Sequence, residues 1–169
     1  IYKWSGTYIV SPPDTGAPQL ENKPIKIYPE TIETEPSARE TVFVEAKPYD
    51  AYKLIADIVR LCRCELAIID PWVSEDLFTL YLETVPTTVL IRIITKEMTG
   101  KFKTVAKKFA QQRKRFEVRL QDIHDRYLIA DDRAWIIGQS IKDAGKKPLA
   151  IVELFNVKQA KELFGRLWN

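Results

Sequence analysis

Histidine occurs once in this 169-residue chain and cysteine twice, and that scarcity closes off several chemistries before any motif is read. Cys62 and Cys64 are separated only by Arg63, and with a single histidine they offer no spaced set of thiols and imidazoles to hold a metal ion. They read as reduced packing residues, which favours a reducing, cytoplasmic setting. No apolar run approaches the roughly 18 residues of a membrane span, and no charged-then-apolar leader precedes a small-residue cleavage site. The net charge of +3 is too small to identify a partner by itself. The first residue is Ile1 and the single methionine is Met98, so further protein is expected before residue 1.

At 46% hydrophobic, the chain can bury one substantial core. Its organisation changes near residue 40. Six of the ten prolines (Pro12, Pro13, Pro18, Pro24, Pro29 and Pro36) fall before that point, which excludes helix and leaves residues 1–42 as a proline-rich extended arm with strand-like stretches at 2–10 and 25–28. From Pro48 the pattern is regular. Tyr52, Ile55, Ala56 and Val59 recur at helical spacing, and residues 65–70 form a buried strand closed by Pro71. Ser74, with Glu75 and Asp76, is positioned to cap a helix running to about Glu83. A second buried strand spans 89–95, a long helix 99–113, a third strand 116–120, and a final helix 157–168. The alternation predicts an α/β fold over residues 43–169, a mixed β-sheet flanked by helices.

The most informative stretch contains the lone histidine. His124-Asp125-Arg126 leads into Tyr127-Leu128-Ile129-Ala130-Asp131, a turn at Asp131-Asp132-Arg133, a second apolar strand, and then Gly138-Gln139-Ser140. In an extended strand His124 and Arg126 project from the same face. An imidazole is a nucleophile usable near neutral pH, and a guanidinium fork matches phosphate oxygens, so the pair suits a phosphodiester. The spacing resembles the phospholipase D superfamily signature His-x-Lys-x4-Asp-x6-Gly-Ser-x-Asn, with Arg126 in place of lysine. Asp70-Pro71-Trp72 is similar to the end of that superfamily's first strand, although it also reads as an ordinary strand-to-helix turn.

The resemblance implies a phospholipase D-like fold and a metal-independent phosphodiesterase, a nuclease first of all, needing no cofactor. His124 would attack phosphorus, Arg126 would hold the phosphate, and Asp131 or Glu153 would orient the imidazole. Because the superfamily mechanism uses two histidines, a single motif implies a homodimer in which the partner's His124 is the general acid. The turn departs from the pattern, since Gln139 follows Gly138 and Ile141 follows Ser140. Ser140, Lys142, Lys146 and Lys147 are the candidates for substrate contacts there. The altered turn also supports an alternative, a non-catalytic module that binds nucleic acid or anionic phospholipid within a larger assembly.

Charge distribution adds a partner. Residues 101–119 carry Lys101, Lys103, Lys107, Lys108, Arg113, Lys114, Arg115 and Arg119 against Glu117 alone, and such a face attracts polyphosphate backbones. Nucleic acid is the expected partner, DNA ahead of RNA. Anionic membrane lipid ranks lower, because no amphipathic helix rich in exposed aromatics is evident.

Overall fold

A computed structural model describes residues 39–169. The arm expected over residues 1–42 lies outside the described residues except for its last four, and the boundary expected after residue 42 falls inside a strand. Glu40–Phe43 is β1, paired antiparallel with β7 (Leu149–Glu153). Between them come α1 (Pro48–Leu61), β2 (Glu65–Ile69), α2 (Asp76–Leu80), β3 (Leu90–Thr95), α3 (Gly100–Gln112), β4 (Phe116–Leu120), β5 (Tyr127–Ala130) and β6 (Arg133–Ile137), and α4 (Val157–Trp168) closes the chain. The seven strands form one mixed sheet in the order β1-β7-β6-β5-β2-β3-β4. β2, β3 and β4 are parallel, whereas β5, β6, β7 and β1 run antiparallel to their neighbours.

Side-chain alternation along the strands builds two cores. Leu66, Ile68, Ile91, Ile93 and Leu128 meet α1, α2 and α3 on one face, while Ala67, Ile69, Ile94 and Ile129 meet Ala160, Phe164 and Trp168 of α4 on the other. Strands covered on both faces explain the near-continuous apolar runs of β2 and β3. On the first face Phe78, Phe102, Phe109 and Phe116 form an aromatic cluster with ring centroids 5.0–5.8 Å apart.

Local chemistry fixes the helix ends. Pro48 starts α1 at a position where its missing N–H costs nothing. Thr99 caps α3, its side chain accepting from Phe102 N at 3.1 Å, and Asn156 caps α4 by accepting from Lys158 N. The cap expected at Ser74 does not form. α2 begins after Glu75, has no side-chain cap, and ends at Leu80, with a 3₁₀ turn at Leu82–Thr84 continuing the path. Ser74 Oγ is buried without a partner among the described residues, and the Ser74 backbone carbonyl accepts from Leu77 N.

Arg113 also departs from expectation. It is 6% exposed, and its guanidinium donates to the carbonyls of Val85 (2.8 Å), Pro86 and Val89, tying the end of α3 to the loop before β3. It is therefore structural and absent from the basic surface.

The cysteines differ in the way the packing requires. Cys62 is buried and Cys64 exposed, and burial, together with the neighbouring Asp131 carboxylate, pushes the Cys62 thiol up to about 12. A thiol-alkylating reagent at neutral pH is expected to modify Cys64 and spare Cys62 in the folded protein. Mass mapping showing Cys62 modified first would contradict this arrangement.

Candidate phosphodiester site

Three strands deliver the candidate site to one end of the sheet. Ile69 of β2, Tyr127 of β5 and Ile136 of β6 lie abreast, so the residues after β2, before β5 and after β6 converge. β2 is also the strand at which the parallel half of the sheet gives way to the antiparallel half, the kind of position where open α/β sheets form crevices. Asp70, Arg126 and Ser140 are the residues brought together here.

Asp70 is fully buried. Its Oδ1 accepts from Trp72 N at 2.9 Å, its Oδ2 accepts from Ile141 N at 2.6 Å, and Ser140 Oγ lies 3.0 Å from both Asp70 Oδ2 and the Trp72 carbonyl. Burial pushes the Asp70 carboxyl upward against these donors and the field of the Arg126 guanidinium. Arg126 is half-buried, and its Nε is buried without a hydrogen-bond partner among the described residues. Its backbone carbonyl accepts from Ile137 N at 3.1 Å, which fixes the chain at the mouth of the β5–β6 hairpin.

His124 is exposed, and it and Arg126 lie in the loop before β5 rather than on the strand expected there. The loop is set by its neighbours. Ile123 is 5% exposed and packs into the α4-side core, while Lys96 and Asp122 pair at 2.6 Å. Lys96 holds the Asp122 carboxyl below its ordinary value, with a smaller contribution from His124.

The two acids expected to orient His124 stand elsewhere. Asp131 follows β5 at its far end, about 16 Å from Arg126 at roughly 3.3 Å per residue. It accepts from the backbone N–H groups of Arg63 (2.7 Å), Cys64 (2.8 Å) and Glu65 (2.8 Å). Glu153 pairs with Arg133 at 2.7 Å and lies abreast of Trp135 and hence of Leu128, four residues beyond His124. Burial raises the Glu153 carboxyl less than the Arg133 hydrogen bond lowers it.

The substrate-contact candidates divide in the same way. Ser140 is 6% exposed and committed to Asp70 and Trp72. Lys142 and Lys146 both pair with Asp143, at 2.6 and 2.7 Å, and Lys147 is an exposed side chain on the same loop. That loop is pinned against the start of α1, since Gly145 has φ +77° and a Cβ there would lie 2.6 Å from the Lys47 carbonyl. At Gly138 a Cβ would stand 3.2 Å from the Ala150 carbonyl, so the altered turn still depends on close backbone approach. Among the described residues, no group of three or more His, Cys, Asp or Glu side chains could hold a metal ion.

No protein-family model and no curated protein matches this chain. Solved structures do. NucT from Helicobacter pylori superposes with a TM-score of 0.62 at 11% identity, covering 78% of this chain and 96% of its own. Phosphatidylserine synthase from Haemophilus influenzae Rd KW20 gives a TM-score of 0.54 at 14% identity, over 76% of this chain and 37% of the synthase. TrmBL2, an archaeal chromatin protein whose structure shows a novel mode of DNA binding, gives 0.58 at 19% identity, over 81% of this chain and 55% of TrmBL2. The fold is phospholipase D-like.

The His-x-Arg segment enters β5 at the converging strand ends. The sequence marks Asp70-Pro71-Trp72 as a strand end but gives Asp70 itself no part in the site. Its signal was a carboxylate closing an otherwise apolar strand immediately before Pro71-Trp72, and it was weighed as an ordinary turn. No helix among the described residues is long and apolar enough to cross a membrane.

Proposed function

We propose that this chain binds nucleic acid through a backbone phosphate held at His124 and Arg126. The observation that carries the reading is Arg126, whose Nε is buried with no partner among the described residues while Asp70 stands near it as a buried carboxylate. An unsatisfied buried donor costs free energy, and a phosphate oxygen would satisfy it with a charge-assisted bond. The other cations of the turn, Lys142 and Lys146, are engaged with Asp143, which leaves Lys147 as the supporting charge. The structure of TrmBL2 shows a mode of DNA binding, and DNA has the required backbone chemistry.

A second reading, nuclease activity, is favoured by the exposed imidazole of His124, two residues before Arg126 in the chain. In this reading the neutral imidazole attacks phosphorus, the P–O bond to the leaving strand breaks, and the departing oxygen takes a proton from His124 of the partner subunit. Water then attacks phosphorus, losing its proton to the now neutral His124 of the partner subunit as the P–N bond breaks and the phosphate leaves. The chain's one histidine makes a homodimer necessary for this chemistry but not for binding.

The test is cleavage of labelled single- and double-stranded DNA and RNA in EDTA, with binding followed in the same samples for wild type, His124→Ala and Arg126→Gln. Binding weakened at least tenfold by Arg126→Gln is expected. Binding unchanged in that variant overturns the phosphate assignment. Cleavage lost in His124→Ala establishes the nuclease reading, and a strictly monomeric protein without cleavage removes it.

A further inference from the structure

We infer that the outer face of α3 is a docking rail for the sugar-phosphate backbone of a nucleic-acid duplex, separate from the His124–Arg126 site. The inference rests on the reading that the partner is nucleic acid and names its form. Lys103, Lys107 and Lys108 are exposed on α3, and none takes part in an ion pair among the described residues. Lys101, with its side chain 84% exposed, reaches Glu75 only at 3.8 Å. Lys114 and Arg115 extend the charge past the helix end, and no acidic residue occurs from Lys101 to Arg115. Exposed helices ordinarily alternate signs to gain i,i+4 pairs, so four lysines without an acid forgo that stabilisation and repel one another. An external polyanion relieves the repulsion.

The shape and chemistry of the face choose the polyanion. With 13 residues α3 is about 20 Å long, roughly the axial span of six base pairs at 3.4 Å per pair on each strand. Phe102 is fully buried and Phe109 packs on the core beside Phe78 and Phe116, so the outward face presents lysine, threonine and glutamine and no aromatic ring. Single strands are held by stacking on aromatic side chains, which this face lacks. Anionic bilayers are held by basic helices that also insert apolar groups, which it lacks as well. Lysines interspersed with Thr104, Gln111 and Gln112 match phosphate and sugar contacts that carry no sequence information. The withdrawal of Arg113 into the body of the unit restricts the rail to side chains on the outer surface.

The experiment measures binding of the full chain to a labelled 30-base-pair DNA duplex across a salt series, for wild type, Lys103→Gln/Lys107→Gln/Lys108→Gln and Arg126→Gln. Each lost phosphate contact lowers the slope of log K against log[salt] by about 0.9, so the triple variant is expected to lose about 2 to 3 from the slope and Arg126→Gln at most about 1. Thermal melting of the triple variant is expected to stay within a few degrees of wild type, because all three side chains are exposed. An unchanged slope in the triple variant overturns the rail. An equal loss on a single strand of the same length overturns the duplex assignment. Loss confined to vesicles of phosphatidylserine, with duplex binding intact, overturns it in favour of a lipid surface. A triple variant that loses slope while Arg126→Gln binds normally supports the rail and removes the phosphate site; the opposite pattern does the reverse.

Discussion

Asp70→Ala is expected to lower the melting temperature by roughly 10 °C, from a loss of about 2–4 kcal/mol at roughly 4 °C per kcal/mol for a unit of this size. The carboxylate is the common acceptor for Trp72 N and Ile141 N and lies 3.0 Å from Ser140 Oγ, so truncation strands two backbone donors in a buried pocket. Asparagine is not an adequate replacement. Its one carbonyl oxygen can serve the Trp72 side or the Ile141 side, and its NH₂ then faces a donor on the other. The pH dependence has a definite sign. Burial raises the Asp70 carboxyl above its ordinary value of 3.8, so the folded state binds the proton more tightly than the unfolded chain. Its contribution is largest below about pH 4 and declines as pH rises through the raised value. The advantage in melting temperature of wild type over Asp70→Asn is therefore expected to shrink as pH is raised from 4 towards neutrality. A widening gap would contradict the account. Arg126 supplies a second readout, since its guanidinium lies within the field of the Asp70 carboxylate, and binding to the duplex is expected to change in the variant even where it is folded.

Asp131→Ala is the other large effect, with an expected loss of about 3–4 kcal/mol. One carboxylate accepts three consecutive backbone N–H groups at 2.7–2.8 Å and so closes the turn between α1 and β2. The residue also sits at φ +53°, a left-handed conformation that alanine adopts at a cost of about 1 kcal/mol and asparagine tolerates. Asp131→Asn should therefore lie between wild type and alanine. Burial acts to raise this carboxyl, but the N–H groups of Glu65, Arg63 and Cys64, with the Cys62 thiol, together hold it below its ordinary value of 3.8. Its contribution is present above about pH 4 and is lost as pH falls through the depressed value, so the gap between wild type and Asp131→Asn should close in acid. Melting curves from pH 3 to 7 thus separate the two aspartates by opposite trends. Parallel trends would show that one of the two environments is misassigned.

The same two residues show how far the sequence could be read. Asp131 was recognised by its spacing from His124 and given a role beside the imidazole, since spacing records that a residue recurs in a pattern but not which end of the strand it occupies. Four strand residues separate the two, and the structure uses Asp131 to bind backbone 63–65. Asp70 went the other way. It lies 54 residues before His124 in the chain, and the Asp70-Pro71-Trp72 pattern does not say what it meets, yet parallel pairing of β2 with β3 and antiparallel pairing with β5 bring it to the converging strand ends. Ser140, two residues after Gly138 in an altered turn, is a candidate for a substrate contact from the sequence, but the buried acid engages it.

Apolar periodicity by itself determined α1, α3, α4 and the buried strands between them, though not the short extent of α2, because helices and doubly covered strands write their burial into residues a few positions apart. It also determined that the unit is mixed α/β, and that the basic residues concentrate in α3. Tertiary structure alone decided the strand order, the membership of β1 in the sheet, the burial of Arg113 under three carbonyls, and the pairing of Glu153 with Arg133 away from His124. Those outcomes depend on contacts between residues 20 to 112 positions apart, as with Glu153 to Arg133 and Glu40 to Val152, and polar groups at such separations take whichever partner the packing of the apolar residues sets beside them.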